Sequence, residues 1–302
     1  MAARNPSTIN TSVKLTHTFI ILHDNGSNSE KLLAALNEIT SKGHLQHVRF
    51  VLPNAKYPVT GPDGETVGYT WFPLGDSDPQ ARGASVDEVW PGVGRVAAVI
   101  DQIVMAEAED VGLENVFFGG IGMGAVVGLA TLLRLWTTTP LGGFLGVGGW
   151  MPFIDDLSAV GNFGRTRLGV TIEGINCDGR EPADYTARIA HFLRYLVKET
   201  RPQDSSQTSI NTPVLLVNAY DDGYQPCARS SEAAAFLTSL GYHGTTLILP
   251  SDDDEAMQFM LQDLVRIFLE EPSQALELTQ GVMDVIHMMI GAGEYKSVSV
   301  KE

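Results

Sequence analysis

The chain has 302 residues, 44% of them hydrophobic and 19% charged, with 20 Lys and Arg against 36 Asp and Glu. This composition excludes wholesale disorder, and a net charge of −16 without a visible basic patch argues against nucleic-acid or anionic-membrane binding. Two cysteines, Cys177 and Cys227, are too few for a disulfide framework or a zinc knuckle, and residues 1–14 carry no apolar stretch of secretory length. An acidic, globular, cytoplasmic protein is expected.

In chain order, residues 1–14 read as a disordered tail. The run HTFIILH at 17–23 predicts a buried strand, followed by a loop at 24–27 and a helix over 29–41. A second strand is expected at 47–52, then a long Pro/Gly loop from 53 to 68. Apolar Val89, Val93, Val96, Ile100, Ile103 and Val104 recur at helical spacing and predict a helix over 86–108, with Pro91 kinking or delaying its start. Strands at 115–118 and 141–147 flank another helix, and strands at 214–217 and 245–249 are each followed by a helical pattern.

Residues 116–136 hold Arg134 as their only charge and are long enough to span a bilayer. The glycines at 119, 120, 122 and 124 fit better a buried strand that turns sharply into a buried helix. Apolar strands separated by helices predict an α/β fold with a mostly parallel sheet covered on both faces. Residues 155–211 are too long for a plain connection. They read as a cap-like insertion, with a helical pattern over 183–198 and a polar stretch at 202–211. The domain therefore runs over 15–272, followed by an amphipathic helix and tail over 273–302. The apolar stripe Val282, Ile286, Met289 and Ile290 docks either on the domain or on a second subunit as a homodimer.

The turn Gly119-Gly120-Ile121-Gly122-Met123-Gly124 admits two chemistries. Gly120-x-Gly122-x-x-Ala125 matches a relaxed dinucleotide fingerprint, but residues 141–150 lack the acid that would hold a ribose, so no cofactor is expected. The alternative is a nucleophile elbow, Gly-x-Ser-x-Gly, in the frame Gly120 to Gly124 with glycine at the nucleophile position.

Other motifs fall in order around that elbow: Leu22-His23-Asp24-Asn25-Gly26, Trp71-Phe72, Gly149-Trp150-Met151-Pro152, and Asn218-Ala219-Tyr220-Asp221-Asp222-Gly223. Together they resemble the acyl-protein thioesterase and carboxylesterase family of α/β-hydrolases over about residues 16–270. The resemblance implies an oxyanion loop at His23, Asp24 and Asn25, a triad aspartate at Asp222, and pocket residues Trp71, Gly122, Met123, Trp150 and Met151. It also places Gly122 at the family's serine, Glu255 (or Asp254) at its histidine, and Asp24 at a loop glycine. With those residues the Ser-His-Asp mechanism cannot operate.

Asp222 and Glu255 at the triad positions would face each other, and two close carboxylates share a proton and can serve as general acid and base. Asp24, Tyr220 and His23 are candidates for a second donor or acceptor. The run Asp252-Asp253-Asp254-Glu255 is otherwise a solvated loop, and His23 is otherwise a brace for its own loop. Ser27 and Cys227 are candidate relocated nucleophiles without a histidine partner, and no metal site is expected because no Cys/His cluster has ligand spacing. Three functions follow. The favoured one is a non-hydrolytic enzyme performing cyclisation, isomerisation or C–C cleavage on a small organic metabolite. The others are a pseudoenzyme that binds a small molecule or a protein partner, and a residual hydrolase using Ser27 or Cys227.

Overall fold

The fold is taken from a computed structural model, which describes residues 7–9, 14–40, 45, 47–72, 86–135, 137, 139–163, 189, 192, 193, 211–219, 227–242, 244–249, 284 and 288. The strands are β1 (Ser7–Ile9), β2 (His17–Leu22), β3 (Val48–Leu52), β4 (Tyr57–Thr60), β5 (Thr66–Thr70), β6 (Val116–Ile121), β7 (Gly143–Val147), β8 (Val214–Ala219) and β9 (Gly244–Leu249). The helices are α1 (Ser29–Thr40), α2 (Val86–Val111), α3 (Met123–Arg134), α4 (Ile154–Phe163) and α5 (Cys227–Ser239).

Seven strands form one sheet in the order β1-β3-β2-β6-β7-β8-β9. Every pairing in it is parallel except β1 with β3, which is antiparallel. All six residues of β6 are buried, as are all five of β7, because helices cover both faces of the sheet. On one face, Val93, Ile100 and Val104 of α2, Val126, Leu129 and Leu133 of α3, and Leu237 of α5 pack with Phe118, Phe144 and Leu216. On the other, Leu32 and Leu36 of α1 pack with Phe19, Ile21, Phe50 and Phe117. This is the expected α/β-hydrolase architecture, mostly parallel with helices on both sides.

The apolar run at 116–136 resolves into β6 and α3, and every residue of α3 is buried. Long and apolar though it is, α2 buries Val89, Trp90, Val93, Ala97, Ile100 and Val104 on the sheet, and it continues through Pro91.

Two expectations need correction. Residues 7–9 lie in a strand paired with β3, where a disordered tail was expected. The Pro/Gly loop at 53–68 instead contains the two-stranded antiparallel sheet β4–β5, whose register shifts at Val59/Thr60. Its partly exposed strands, one with Pro58 and the other with Gly68, lack the apolar pattern that marks a core strand, so periodicity passed over them. Of the insertion, α4 and the buried Ile189, Phe192 and Leu193 are described; Cys177 and most of the polar stretch at 202–211 lie outside the described residues. So do Val282, Ile286, Met289 and Ile290, although Met288 packs in the α1-side cluster.

At Gly124, α3 approaches the end of β2 closely. A β-carbon there would meet the Leu22 carbonyl oxygen, lie 2.6 Å from the His23 oxygen and 2.8 Å from the Leu22 carbonyl carbon. Those are backbone atoms of β2 and the residue after it, and they cannot swing away. Gly124→Ala is therefore expected to lower stability by about 1–3 kcal/mol, measured by denaturant unfolding. An unchanged midpoint would mean that α3 does not seat against β2 as described.

Candidate functional site: a carboxylate at the elbow

The site lies where β6 turns into α3, at the carboxyl end of the central strand and beside β2 and β7. This is the edge of a parallel sheet at which ligands bind. Gly122 stands alone between the two elements with φ 50° and ψ −115°, a conformation that a side chain strains. Its N–H donates to the Val147 carbonyl at 2.8 Å, and its own carbonyl accepts from Ala125 at 3.0 Å and Val126 at 3.2 Å. The apex is thus fixed to β7 on one side and to the first turn of α3 on the other.

The space into which an elbow side chain would project is already filled. A β-carbon on Gly122 would collide with Oδ1 and Cγ of Asp24 and lie 2.5 Å from Oδ2. Asp24 comes from the loop after β2, is half-buried, and directs Oδ1 at two backbone donors: the Met123 N–H at 2.8 Å and the Asn25 N–H at 2.6 Å. In a hydrolase elbow, the N–H following the nucleophile and one from the facing strand-to-helix loop form the oxyanion hole. Here the N–H that opens α3 and the Asn25 N–H of the loop after β2 both serve a side chain of the same chain. The positive end of α3 adds to the attraction, since Met123 opens that helix.

The loop that carries Asp24 is tied down on every side. His23 is fully buried; its Nδ1 donates to the Asp24 carbonyl at 2.7 Å and its Nε2 accepts from the Ala55 N–H at 3.0 Å. Because the Ala55 amide must donate, the ring carries its proton on Nδ1. Burial is the main reason that its pKa is pushed down to about 4, so the ring stays neutral. Trp71 donates its indole N–H to the His23 carbonyl at 2.7 Å, and the two rings lie 4.9 Å apart. The β4–β5 hairpin closes the other side. Gly26 N–H donates to Tyr69 O at 3.0 Å and Tyr69 N–H to Ser27 O at 2.8 Å. Next to it, the Thr70 hydroxyl lies 3.2 Å from Phe72 O and 3.0 Å from the Met123 sulfur, linking the hairpin to the elbow.

Beyond β7 the chain runs through Gly149, Trp150, Met151 and Pro152, all buried, to Phe153, which adopts a positive φ of 58°. The Ser230 hydroxyl of α5 holds the Gly149 carbonyl in a short hydrogen bond of 2.5 Å. Several buried polar groups have no hydrogen-bond partner among the described residues, those of one residue after β7 and one in β8 among them. These two are Trp150, through its indole N–H, and Asn218, near the end of β8, through both ends of its carboxamide.

The structure thus brings together Asp24, Asn25, Gly122 and Met123, with His23 and Trp71 behind them. His23 and Trp71 brace the loop with their polar atoms rather than offering them to a pocket. Asp222, Glu255 and Tyr220 lie outside the described residues, and so do Asp252 to Asp254. Ser27 is held through its backbone in the bridge to Tyr69, and Cys227 opens α5. Sequence reasoning missed Thr70 and Phe153, and it gave Asn218 no role beyond its place in a motif. Thr70 belongs to the unrecognised hairpin, and nothing in the sequence marks a phenylalanine for positive φ.

Two measurements follow from this geometry. Gly122→Ala and Asp24→Gly should be strongly non-additive in stability. The alanine should cost less in the Asp24→Gly background, with a coupling of about 1–3 kcal/mol in a double-mutant cycle. Additive effects would place the carboxylate elsewhere. Neutral, buried His23 makes a second, pH-dependent contribution. Its unfolded form takes up a proton near the ordinary value of 6.5 and its folded form only near 4, so stability should be lost as pH falls through that window. The loss is about 3 kcal/mol at most, and His23→Gln should flatten that part of a stability–pH curve.

Residues 3–172, more than half of the chain, match the family model described as phospholipase/carboxylesterase. Over 150 residues the chain is 32% identical to carboxylesterase SOBER1 of Arabidopsis thaliana, covering 47% of this chain and 61% of that protein. Over 196 residues it is 29% identical to acyl-protein thioesterase 1 of Mycosarcoma maydis, covering 60% of this chain and 77% of that one. The match with the SOBER1 relative thus spans less than two thirds of that protein's length. Among solved structures, esterase PE8 aligns with a TM-score of 0.57 and 18% identity over 87% of this chain and 98% of its own. Zea mays acyl-protein thioesterase 2 aligns with a TM-score of 0.55 and 16% identity over 88% and 100%. At those identities the structures speak for the fold alone, and they agree with the α/β architecture found here. By its sequence match and its architecture, the chain belongs to the phospholipase/carboxylesterase family of α/β-hydrolases.

Proposed function

We propose that this chain does not run serine-dependent acyl transfer and that its elbow presents a carboxylate, Asp24, to a small organic molecule. One observation carries the reading: Asp24 Oδ1 accepts hydrogen bonds from both the Asn25 and the Met123 N–H. In acyl transfer those two donors receive the charge that develops on the substrate's carbonyl oxygen, and losing even one costs roughly 10²–10³ in kcat. Here an anion already sits on both, and Gly122 has no hydroxyl to acylate. The ester and thioester chemistry in the names of the relatives is therefore separated from this chain at its central step.

Within that reading, the favoured chemistry is proton transfer on a small metabolite, as in cyclisation, isomerisation or C–C cleavage. Asp24 is its fixed carboxylate, and Asp222, Glu255 and Tyr220 supply the further acid/base groups that the family resemblance suggests. A cytoplasmic location and a small-molecule ligand belong to the same proposal. A second reading, ligand binding without turnover, is favoured by Trp150 and Asn218. Their buried polar atoms, unpartnered among the described residues, offer donors and an acceptor that a bound molecule or water would satisfy.

The test is direct. The wild-type protein should hydrolyse neither short-chain aryl esters nor acyl thioesters, and a fluorophosphonate probe should not label it. Gly122→Ser should stay inactive as well, because the new hydroxyl meets the Asp24 carboxylate and the hole remains filled. Hydrolysis by the wild type, labelling at Ser27, or activity that disappears in Cys227→Ala would overturn the proposal.

A further inference from the structure

We propose that the outer face of α2 is a dimer interface, on which a second copy of this chain lays its own α2 antiparallel about a two-fold axis at Gln102. The inference is independent of the chemistry at the elbow.

The helix has two unlike faces. Its inner face packs on the sheet through Val89, Val93, Ala97, Ile100 and Val104. Positions 95, 98, 99, 102, 105, 106 and 109 recur three and four residues apart and share the opposite face, within about 60° on either side of Gln102. Ala98 is half-buried and the other six are exposed. Val99 and Met105, 39% and 40% exposed, are two of the three large hydrophobics left at the surface among the described residues.

That face is complementary to itself, which is what an interface between identical copies requires. In an antiparallel pair with its axis at Gln102, positions equally far from 102 lie opposite each other. Gln102 then meets Gln102, and its carboxamide both donates and accepts. Val99 meets Met105, and Ala98 meets Ala106, two small residues that let the helices approach. Arg95 meets Glu109, once at each end. Among the described residues neither of these two side chains has an ion-pair or hydrogen-bond partner within the chain. The neighbouring Glu107 and Asp110, by contrast, are bound by Arg49 at 2.9 and 2.7 Å.

The charges also choose the occupant. A uniformly basic or acidic partner would meet its own sign at one end of the strip, whereas a second copy meets the opposite sign at both. Between Arg95 and Glu109 the face is neutral, and the repulsion of the two net charges, −16 each, is screened beyond about 8 Å at physiological salt. Beside Met105 and Glu109 lies a groove of about 250 Å³, also lined by Ala108, Leu113, Glu114 and Thr139. It receives Arg95 of the second copy, with an apolar wall for the methylene stem and two carboxylates for the guanidinium. The strip is about 21 Å long, so the contact is small and the dimer reversible, with a dissociation constant on the order of 10 µM.

Sedimentation velocity of the full chain tests this over roughly 1–200 µM, a range that brackets such a contact. The wild type should pass from monomer to dimer across it. Arg95→Glu and Glu109→Arg, both at exposed positions, should each weaken the dimer about tenfold or more, because each turns two attractive contacts into repulsive ones. An equimolar mixture of the two variants should dimerise again, since one then carries two acidic ends and the other two basic ones. A folding defect in either variant would not be repaired by mixing. A wild type that stays monomeric throughout, a dimer that both reversals leave intact, or a loss that mixing does not restore would overturn the interface.

Discussion

A single carboxylate oxygen accepting from two backbone amides, one on each side of the elbow, is the interaction on which this site depends. Hydrogen bonds to an ionised acceptor are among the stronger ones a protein makes, and these two join elements 99 residues apart in sequence through the Asp24 to Met123 bond. The bond also sets what position 122 can hold. With the carboxylate in place, the apex has room for a hydrogen atom and nothing larger, and the positive φ of the turn makes the same demand independently. Gly122 at the apex is thus one half of a steric pair, the other half being the aspartate that fills the space beside it.

The surrounding structure keeps that pair together. A loop bearing a charge against a helix N-terminus could satisfy the charge in water instead, were the loop free to move. Here the His23 ring bonds the loop to Ala55, Trp71 caps the same turn, and the β4–β5 hairpin adds two backbone bonds across Gly26 and Ser27. The buried neutral imidazole is part of that bracing, and its low pKa is a consequence of where it sits rather than a sign of catalysis. The geometry is that of a preorganised group, with its reorganisation cost met by the fold.

Much of the fold was legible because burial leaves a strong pattern. The apolar runs that became β2, β6 and β7 and the 3.6-residue spacing in α2 follow from strands and helices sharing one two-faced core. The β4–β5 hairpin was not legible, because partly exposed strands carry no such pattern. The site was half legible. Motif order singled out Asp24 and Gly122 separately, as an anion near an oxyanion hole and as a missing side chain. That the two occupy the same space depends on how a loop after β2 folds against an elbow after β6, which no local spacing encodes. The expected pairing of Asp222 with Glu255 lies outside the described residues, so the acid/base scheme built on it rests on the family resemblance.

The central claim is that the Asn25 and Met123 amides are bound to the Asp24 carboxylate, and amide NMR reads this directly. In a ¹⁵N–¹H correlation spectrum both amide protons should resonate downfield of ordinary loop and helix-start positions, as donors to a carboxylate do. Asp24→Ala should move the two upfield together while the amides of the β2, β7 and β8 strand interiors stay where they were. If both resonances ignore the loss of the carboxylate in a folded variant, Asp24 does not occupy the hole and the account of this site is wrong.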